Sequence, residues 1–303
     1  IEMIHKVNGY WQMNHPEHGR SFWDNAAYHT GNMEVYFLTK KPEYLEYSKE
    51  WAEHNQWKGA TSNNKAEWRS TYGESPEYVL FGDWQVCFQT YADLYKLDPD
   101  TIKIARAREV MEYQMSTSKL DYWHWVDALY MVMPVMVKMY DITKNPLYLE
   151  KLHQYLTVTD SIMYDREVGL YYRDAKYPYP FHKTINGKKD FWSRGDGWAF
   201  AAFAKVLKQL PAEDKYREEY ITRFQTMAKS IAACQQPEGY WTRSLIDPEQ
   251  APGPETSGTA LFTYGFLWGI NNGLLNADIY SPIVEKAWNY LKTTALQADG
   301  KIG

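Results

Sequence analysis

The feature that most constrains this chain is an alternation between two kinds of helical segment. Apolar residues recur at helical spacing over long stretches, and few segments alternate with period two. The spacing predicts helices at about residues 23–39, 43–55, 78–96, 100–115, 126–141, 146–163, 197–209, 214–235, 258–271 and 281–296, with ends good to ~2–4 residues. They fall into pairs. The first member is apolar nearly all round, as in Trp198-Ala199-Phe200-Ala201-Ala202-Phe203. The second carries charge along one face, as in Glu43-Tyr44-Leu45-Glu46-Tyr47-Ser48-Lys49-Glu50. A helix apolar all round is buried on both sides, whereas a half-charged one faces water. The expectation is an all-α chain with an inner ring of helices wrapped by an outer ring.

An internal repeat supports the pairing. Thr39-Lys40-Lys41-Pro42-Glu43-Tyr44-Leu45-Glu46 matches Thr143-Lys144-Asn145-Pro146-Leu147-Tyr148-Leu149-Glu150 at a spacing of 104 residues. Each copy joins an inner to an outer helix two hairpins apart, giving about 52 residues per hairpin, a period that suits two-helix units. A Pro in the first turn of a helix recurs by chance too, so the repeat adds to the periodicity and does not replace it. Two connections, residues 56–77 and 164–196, exceed the ~12–15 residues of ordinary loops and are too aromatic for disorder. They are expected to wall a site. No composition break splits the 303 residues, so one domain over residues 1–303 is expected.

Charge and composition exclude several classes. Lys and Arg total 33 against 38 Asp and Glu, a net charge of −5, and no long basic run offers itself to nucleic acid. No stretch approaches the roughly 18–20 uninterrupted apolar residues of a membrane helix, so a soluble chain with neither partner is expected. Cys87 and Cys234 cannot build a disulfide framework or a four-ligand zinc site, and read as buried thiols. So few cysteines fit a bacterial cytoplasm and a periplasm alike. Thirteen Trp, 26 Tyr and 11 Phe make up 17% of a chain whose mean hydropathy is −0.60. A greasy core alone does not account for that many; half-wet surfaces do, of the kind on which sugar rings stack, though peptide grooves and plain helix packing use the same residues.

The polar residues gather where the inner helices begin. Trp23-Asp24 opens the first, Gly82-Asp83-Trp84 the second and His124-Trp125-Val126-Asp127 the third. Arg194-Gly195-Asp196-Gly197-Trp198 opens the fourth and Glu255-Thr256-Ser257-Gly258 the fifth. Inner helices of a ring of hairpins point the same way, so their free N–H groups converge on one mouth and favour an anion. Arg194 adds a charge able to grip a carboxylate with two hydrogen bonds. Asp24, Asp196 and Glu255–Thr256 serve equally well as helix caps. Asp127, flanked by Trp123, His124 and Trp125, and Asp83, beside Trp84, are the better candidates for chemistry, because a carboxylate walled by indoles is pushed toward the range of a general acid. His29 and His182 read as structural or loop residues. There is no phosphate-binding Gly-x-x-x-x-Gly-Lys-Ser/Thr, no Gly-x-Ser-x-Gly, and no His-x-x-x-His or Cys-x-x-Cys, so neither a metal nor another cofactor is expected.

Three of these stretches carry a family resemblance. Phe191-Trp192-Ser193-Arg194-Gly195-Asp196-Gly197-Trp198, Trp125-Val126-Asp127-Ala128-Leu129-Tyr130-Met131 with Pro134, and Glu255-Thr256-Ser257-Gly258-Thr259-Ala260 resemble signatures of the six-hairpin unsaturated glycuronyl hydrolases. Glycoside hydrolase family 105 is nearest, with family 88 as a relative, and the likeness runs from about Trp23 to the end. It implies an (α/α)6 barrel that removes the 4,5-unsaturated uronic acid left by polysaccharide lyases at the non-reducing end of an oligosaccharide. It implies that Asp127 protonates C4 of the double bond and activates the water that adds at C5, and that Asp83 holds ring hydroxyls and tunes the acid. Arg194, Trp198, Trp125, Trp23, His124, Trp84, Arg173, Trp192, Thr256 and Ser257 are the expected substrate-binding residues. Two positions depart from the pattern. Asp196 stands where Asn is usual, and Arg173 stands where some members have His. A rhamnogalacturonan fragment is the default substrate, with ulvan-like or glucuronyl-bearing glycans as options. An (α/α)6 glycosidase for saturated glycans and a non-catalytic glycan-binding protein are the competing readings.

Five hairpins are visible in the chain, and the sixth is missing or lies beyond Gly303. Residues 1–20, with Gly9, Asn14, Pro16 and Gly19, are not expected to supply a full helical pair. The expectation is a domain that continues past the last residue.

Overall fold

The computed structural model describes residues 1–303. It is all-α apart from one two-stranded ribbon, and the chain forms two compact units. The first comprises Ile1–Tyr122 and Met131–Tyr155, the second Trp123–Tyr130 and Leu156–Gly303.

In the first unit, α1 (Glu2–Asn14) precedes the hairpin of α2 (Trp23–Thr39) and α3 (Pro42–His54) and that of α4 (Cys87–Leu97) and α5 (Ile102–Ser116). Residues 1–20 thus give one helix, not a pair, and Gly9 is accommodated inside it. The predicted helix 78–96 is shorter than its periodicity implied. It resolves into a 3₁₀ turn at Gly82–Trp84 and α4, because Gln85, Phe88 and Gln89 donate three residues back, so the chain stays helical in dihedrals but winds tighter before the regular ladder. The two hairpins differ from each other. On α4 Cys87 through Leu94 are all buried, as expected of an inner helix, whereas α2 buries only Ala26, His29, Thr30, Asn32 and Met33, no larger a share than α3 buries through Tyr44, Ser48, Trp51 and Ala52.

The internal repeat is a helix-ending device used twice. Lys40 and the corresponding Lys144 both adopt left-handed backbone, with φ of 59° and 56°. Each donates its N–H to a tyrosine carbonyl four residues back, Tyr36 and Tyr140. Thr39 and Thr143 each donate to a carbonyl of their own helix and accept from the backbone N–H two residues on. The first copy ends α2; the second ends α6 (Asp127–Thr143), after which α7 runs Leu147–Met163. The matching letters therefore encode a chain reversal, with proline pre-setting the helix that follows.

The second unit holds the start of α6, the end of α7, β1 (Tyr164–Asp165), β2 (Leu170–Tyr171), α8 (Ser193–Gln209), α9 (Arg217–Ala232), α10 (Thr256–Asn271) and α11 (Ala277–Tyr290), the last closing in a π-type turn at Leu291–Ala295. Of the 17 residues of α8, 14 are buried, as expected of a helix apolar on all sides. It packs most extensively on α10, with Phe200 stacked on Phe224 of α9 at 4.5 Å and edge-on to Phe266 of α10 at 5.2 Å. Removing a ring so enclosed costs about 3–5 kcal/mol.

Both long connections are ordered by their own hydrogen bonds. In residues 56–81, Ser62 N–H donates to Pro76 O, Arg69 N–H to Glu77 O and Leu80 N–H to Arg69 O, while the Arg106 guanidinium reaches the carbonyls of Ala60 and Ser62. In residues 164–192, the β1–β2 ribbon is anchored by a buried cluster. Arg223 pairs with Asp160 at 2.7 Å, Tyr171 Oη donates to Asp160 at 2.6 Å, and the guanidinium lies 3.7 Å from the centre of the Tyr164 ring.

Candidate active site

Asp127 is placed by backbone pairing. Val126 N–H donates to Arg173 O at 2.9 Å and Trp125 bridges Asp174, so the entry to α6 runs strand-like against residues 173–174. Arg173 is thereby carried close to the Asp127 carboxyl. The first turn of α8 approaches from another side. A Cβ on Gly195 would lie 2.7 Å from Val126 Cγ1, so only glycine lets the two segments touch. The same contact sets Arg194 beside Asp127. One turn along each helix, Trp198 meets Tyr130 at 4.5 Å.

Asp127 keeps part of its surface open yet lies deep among protein atoms. Burial is the largest influence on its carboxyl. A backbone hydrogen bond, Arg194 and Arg173 oppose it, in that order, and the result is a pKa pushed up to about 6. Desolvation wins over two guanidinium groups.

Arg194 is held loosely. Its guanidinium lies 4.5 Å from the centre of the Trp192 ring, and Nη1 stands 3.5 Å from Glu255 Oε1. Glu255 is the cap of α10, accepting from Gly258 N–H at 2.6 Å, from Ser193 Oγ at 3.2 Å and from Ser257 Oγ. A Cβ on Gly258 would come within 2.9 Å of the Ser193 carbonyl carbon, so the first turns of α8 and α10 meet there backbone to backbone.

The remaining expected residues divide. In the second unit the structure gathers Asp127, Arg173, Arg194, Trp192 and Trp198, with Trp125 flanked by His124 at 4.7 Å. Ser257 turns to Glu255, while Thr256 shares a hydrogen bond with Tyr290 Oη at 2.8 Å and belongs to the α10–α11 junction. In the first unit Asp83 is buried in its 3₁₀ turn. Trp84 packs on Phe22 at 4.6 Å and donates Nε1–H to Gly73 O, which sets the α2 entrance, with half-exposed Trp23, beside Asp83. Of the three acids read as possible caps, only Glu255 caps a helix. Asp24 is an exposed partner of Arg20, and Asp196 accepts from Tyr171 N–H at 2.8 Å in a wholly buried position that holds its carboxyl well above the usual range. Cys87 is buried and Cys234 half-buried, its thiol pushed up to about 12 by burial and by Asp196.

Sequence reasoning missed Tyr177 as a site residue. Arg173 lies over its ring at 5.6 Å and donates Nη1–H to its hydroxyl at 3.3 Å. On the far side the ring meets His182 at 4.5 Å, which is fixed by Asp190 at 2.9 Å. The aromatic run Tyr177-Pro178-Tyr179-Pro180 was the only available signal.

Residues 2–303 match the family model described as Glycosyl Hydrolase Family 88. The chain belongs to that family. An unsaturated 3S-rhamnoglycuronyl hydrolase of Formosa agariphila is 30% identical over 305 residues, covering 97% of this chain and 79% of the relative. The solved structure of a glycosyl hydrolase family 88 protein from Bacteroides vulgatus is 92% identical with a TM-score of 0.99, covering 100% of this chain and 87% of that one. A structure described as a polysaccharide lyase is 75% identical, also with a TM-score of 0.99, over 100% of this chain and 85% of that one. Family 105 structures at 20% identity share the fold, the Salmonella enterica example with a TM-score of 0.75. This family 88 chain is a glycoside hydrolase of the unsaturated glycuronyl and rhamnoglycuronyl hydrolase group, with an oligosaccharide as substrate and the all-α (α/α)6 hairpin fold of its relatives.

Proposed function

We propose that this hydrolase releases a 4,5-unsaturated uronic acid from the non-reducing end of an oligosaccharide by hydrating the C4=C5 enol ether. The observation that carries the reading is the Asp127 carboxyl, held at about 6 by burial while facing Arg194 and Arg173. A carboxyl in that range exists in both forms near neutrality, as a general acid that becomes a general base must. A uronate carboxylate bound to Arg194 and Arg173 takes up the positive charge that otherwise favours ionised Asp127. Substrate binding therefore raises the pKa further and keeps the proton in place.

Asp127 then gives its proton to C4, and positive charge develops at C5 and the ring oxygen. The ionised Asp127 takes a proton from the water that adds at C5, forming a hemiketal. Ring opening leaves a hemiacetal at C1, whose collapse releases the aglycone. No carboxylate pair flanking the glycosidic bond is needed, unlike ordinary glycoside hydrolysis. Asp83 is assigned the ring hydroxyls, and Trp198, Trp125, Trp192, Trp84, Trp23 and His124 the sugar faces and edges. The Formosa agariphila relative's name favours rhamnose as the sugar next to the uronide.

The enol ether absorbs ultraviolet light and its hydration product does not. Incubation with lyase-generated rhamnose-linked uronides should extinguish that absorbance. Absorbance that rises on intact polysaccharide would instead place the chain with eliminative lyases, as the 75% identical structure is described. A saturated oligosaccharide cleaved while the unsaturated one persists would favour the ordinary glycosidase.

A further inference from the structure

The hydrolytic reading leaves one part of the 56–81 connection without a task. In the first unit, Trp68, Arg69, Ser70 and Thr71 of this connection face Thr117–Tyr122 beyond α5 across a cavity of about 440 Å³, within the size range of small-molecule sites. Its lining contains two cations, Arg69 and Lys119, and six hydroxyl residues, but no carboxylate. In a chain of net charge −5 that is a local reversal of sign.

The cations are set in place before any ligand arrives. The Arg69 backbone is tied on both sides, donating to Glu77 O at 2.8 Å and accepting from Leu80 N–H at 3.0 Å. Its guanidinium is exposed, lies 5.7 Å from the centre of the Tyr78 ring and pairs with no carboxylate. Lys119 Nζ donates to buried Ser70 Oγ at 2.9 Å and stands 5.4 Å from the centre of the Tyr122 ring, with Asp121 at 3.6 Å outside the cavity lining. Thr117 Oγ1 is bonded to Tyr122 Oη at 2.7 Å, which fixes the hydroxyl wall. A guanidinium and an ammonium above a floor of hydroxyls match a compact oxyanion joined to a hydroxylated ring.

We infer that this cavity is an accessory binding site for the acidic group of a glycan, a carboxylate or a sulfate ester, separate in function from the hydrolytic residues. The carbohydrate class rests on family membership. The site does not depend on the hydration chemistry.

The test is affinity electrophoresis of the whole chain in native gels containing saturated polygalacturonate, dextran sulfate or neutral dextran. Two-state partitioning between free and gel-bound protein gives an apparent affinity for each polymer. Retardation by one or both acidic polymers and not by dextran is expected, and which of them acts identifies the carboxylate or the sulfate ester as the group bound. The double variant Arg69→Ala/Lys119→Ala should lose at least about tenfold in apparent affinity, since it removes both charge-assisted contacts to the anion. Its melting temperature and its turnover of a short unsaturated disaccharide should match the parent. No retardation in either acidic gel, equal retardation by dextran, or unchanged retardation of the double variant would overturn the inference. Disaccharide turnover reports separately on the proposed hydrolysis.

Discussion

Replacing Asp127 by Asn removes a proton donor and an electrostatic burden at once, and the two effects have opposite signs. Burial moves the Asp127 carboxyl from an ordinary 3.8 to about 6. At 1.36 kcal/mol per unit, ionising it in the folded chain costs up to about 3 kcal/mol more than in the unfolded one. The folded state therefore binds more protons than the unfolded state between about pH 4 and pH 6, and stability falls as pH rises through that window. Above about pH 6 the whole penalty is present; below about pH 4 it is absent. Asp127→Asn has nothing to ionise. Thermal unfolding should show the variant more stable than the parent at about pH 8, by as much as ~3 kcal/mol, and level with it at about pH 4. Meanwhile loss of the unsaturated uronide's absorbance should slow by roughly 10²–10⁴-fold. A variant that turns over at the parental rate would remove Asp127 from the chemistry. One less stable than the parent at the higher pH would refute the desolvation argument.

Other outcomes follow from the same geometry. If Asp127 is the proton donor proposed above, turnover in the parent should decline as pH rises through and beyond about 6, where its carboxyl loses the proton; a rate still climbing well above that range in a pH profile would contradict it. Arg194→Ala should raise KM for the uronide while a carboxyl-reduced substrate loses little, and equal losses on both would end its assignment to the carboxylate. Gly195→Ala places a methyl 2.7 Å from Val126 Cγ1 and should cost about 1–3 kcal/mol of stability together with turnover, read by melting and absorbance; parental values of both would show that the approach is not needed. Asp196→Asn keeps the single acceptor that Tyr171 N–H uses and should melt within about 1 kcal/mol of the parent with activity intact. Lost activity at an unchanged melting temperature would make Asp196 part of the reaction.

The helical framework was legible because its determinants are local. The apolar girdle of Trp198–Phe203 marks α8 as buried, the charge stripe of Glu43–Glu50 marks α3 as half-wet, and Thr39-Lys40-Lys41-Pro42 spells out a reversal. Asp127 and Arg194 stood out because indoles and glycines flank them in sequence. What stayed hidden depends on residues far apart in the chain. Glu255 reads as a cap from its neighbours alone; its contact with Arg194 spans 61 positions. Gly195 looks like loop punctuation until Val126 is brought against it. Tyr177 stayed hidden for another reason: Arg173 and His182 are only four and five residues away, but they lie on an irregular connection where no helical or strand period sets which side chains meet. The β1–β2 ribbon is only two residues per strand, too short for alternation to register, and its stability comes from Arg223 on α9. The 3₁₀ start at Gly82–Trp84 escaped for a related reason. An apolar period runs unbroken through a change of helix type.

The 3.5 Å spacing between Arg194 and Glu255 has a consequence for how the reaction ends. An anion arriving at Arg194 displaces a weak partner, and Glu255 remains satisfied by Ser193, Ser257 and the Gly258 amide, so the exchange strands no buried charge. Substrate entry is correspondingly easy. Under the proposed hydration, however, the released keto-acid keeps the same carboxylate, and Arg194 has no means of telling it from the substrate's. Hydration erases the double bond but leaves this handle intact, so progress curves should bend as product accumulates, with small carboxylates in the buffer bending them further.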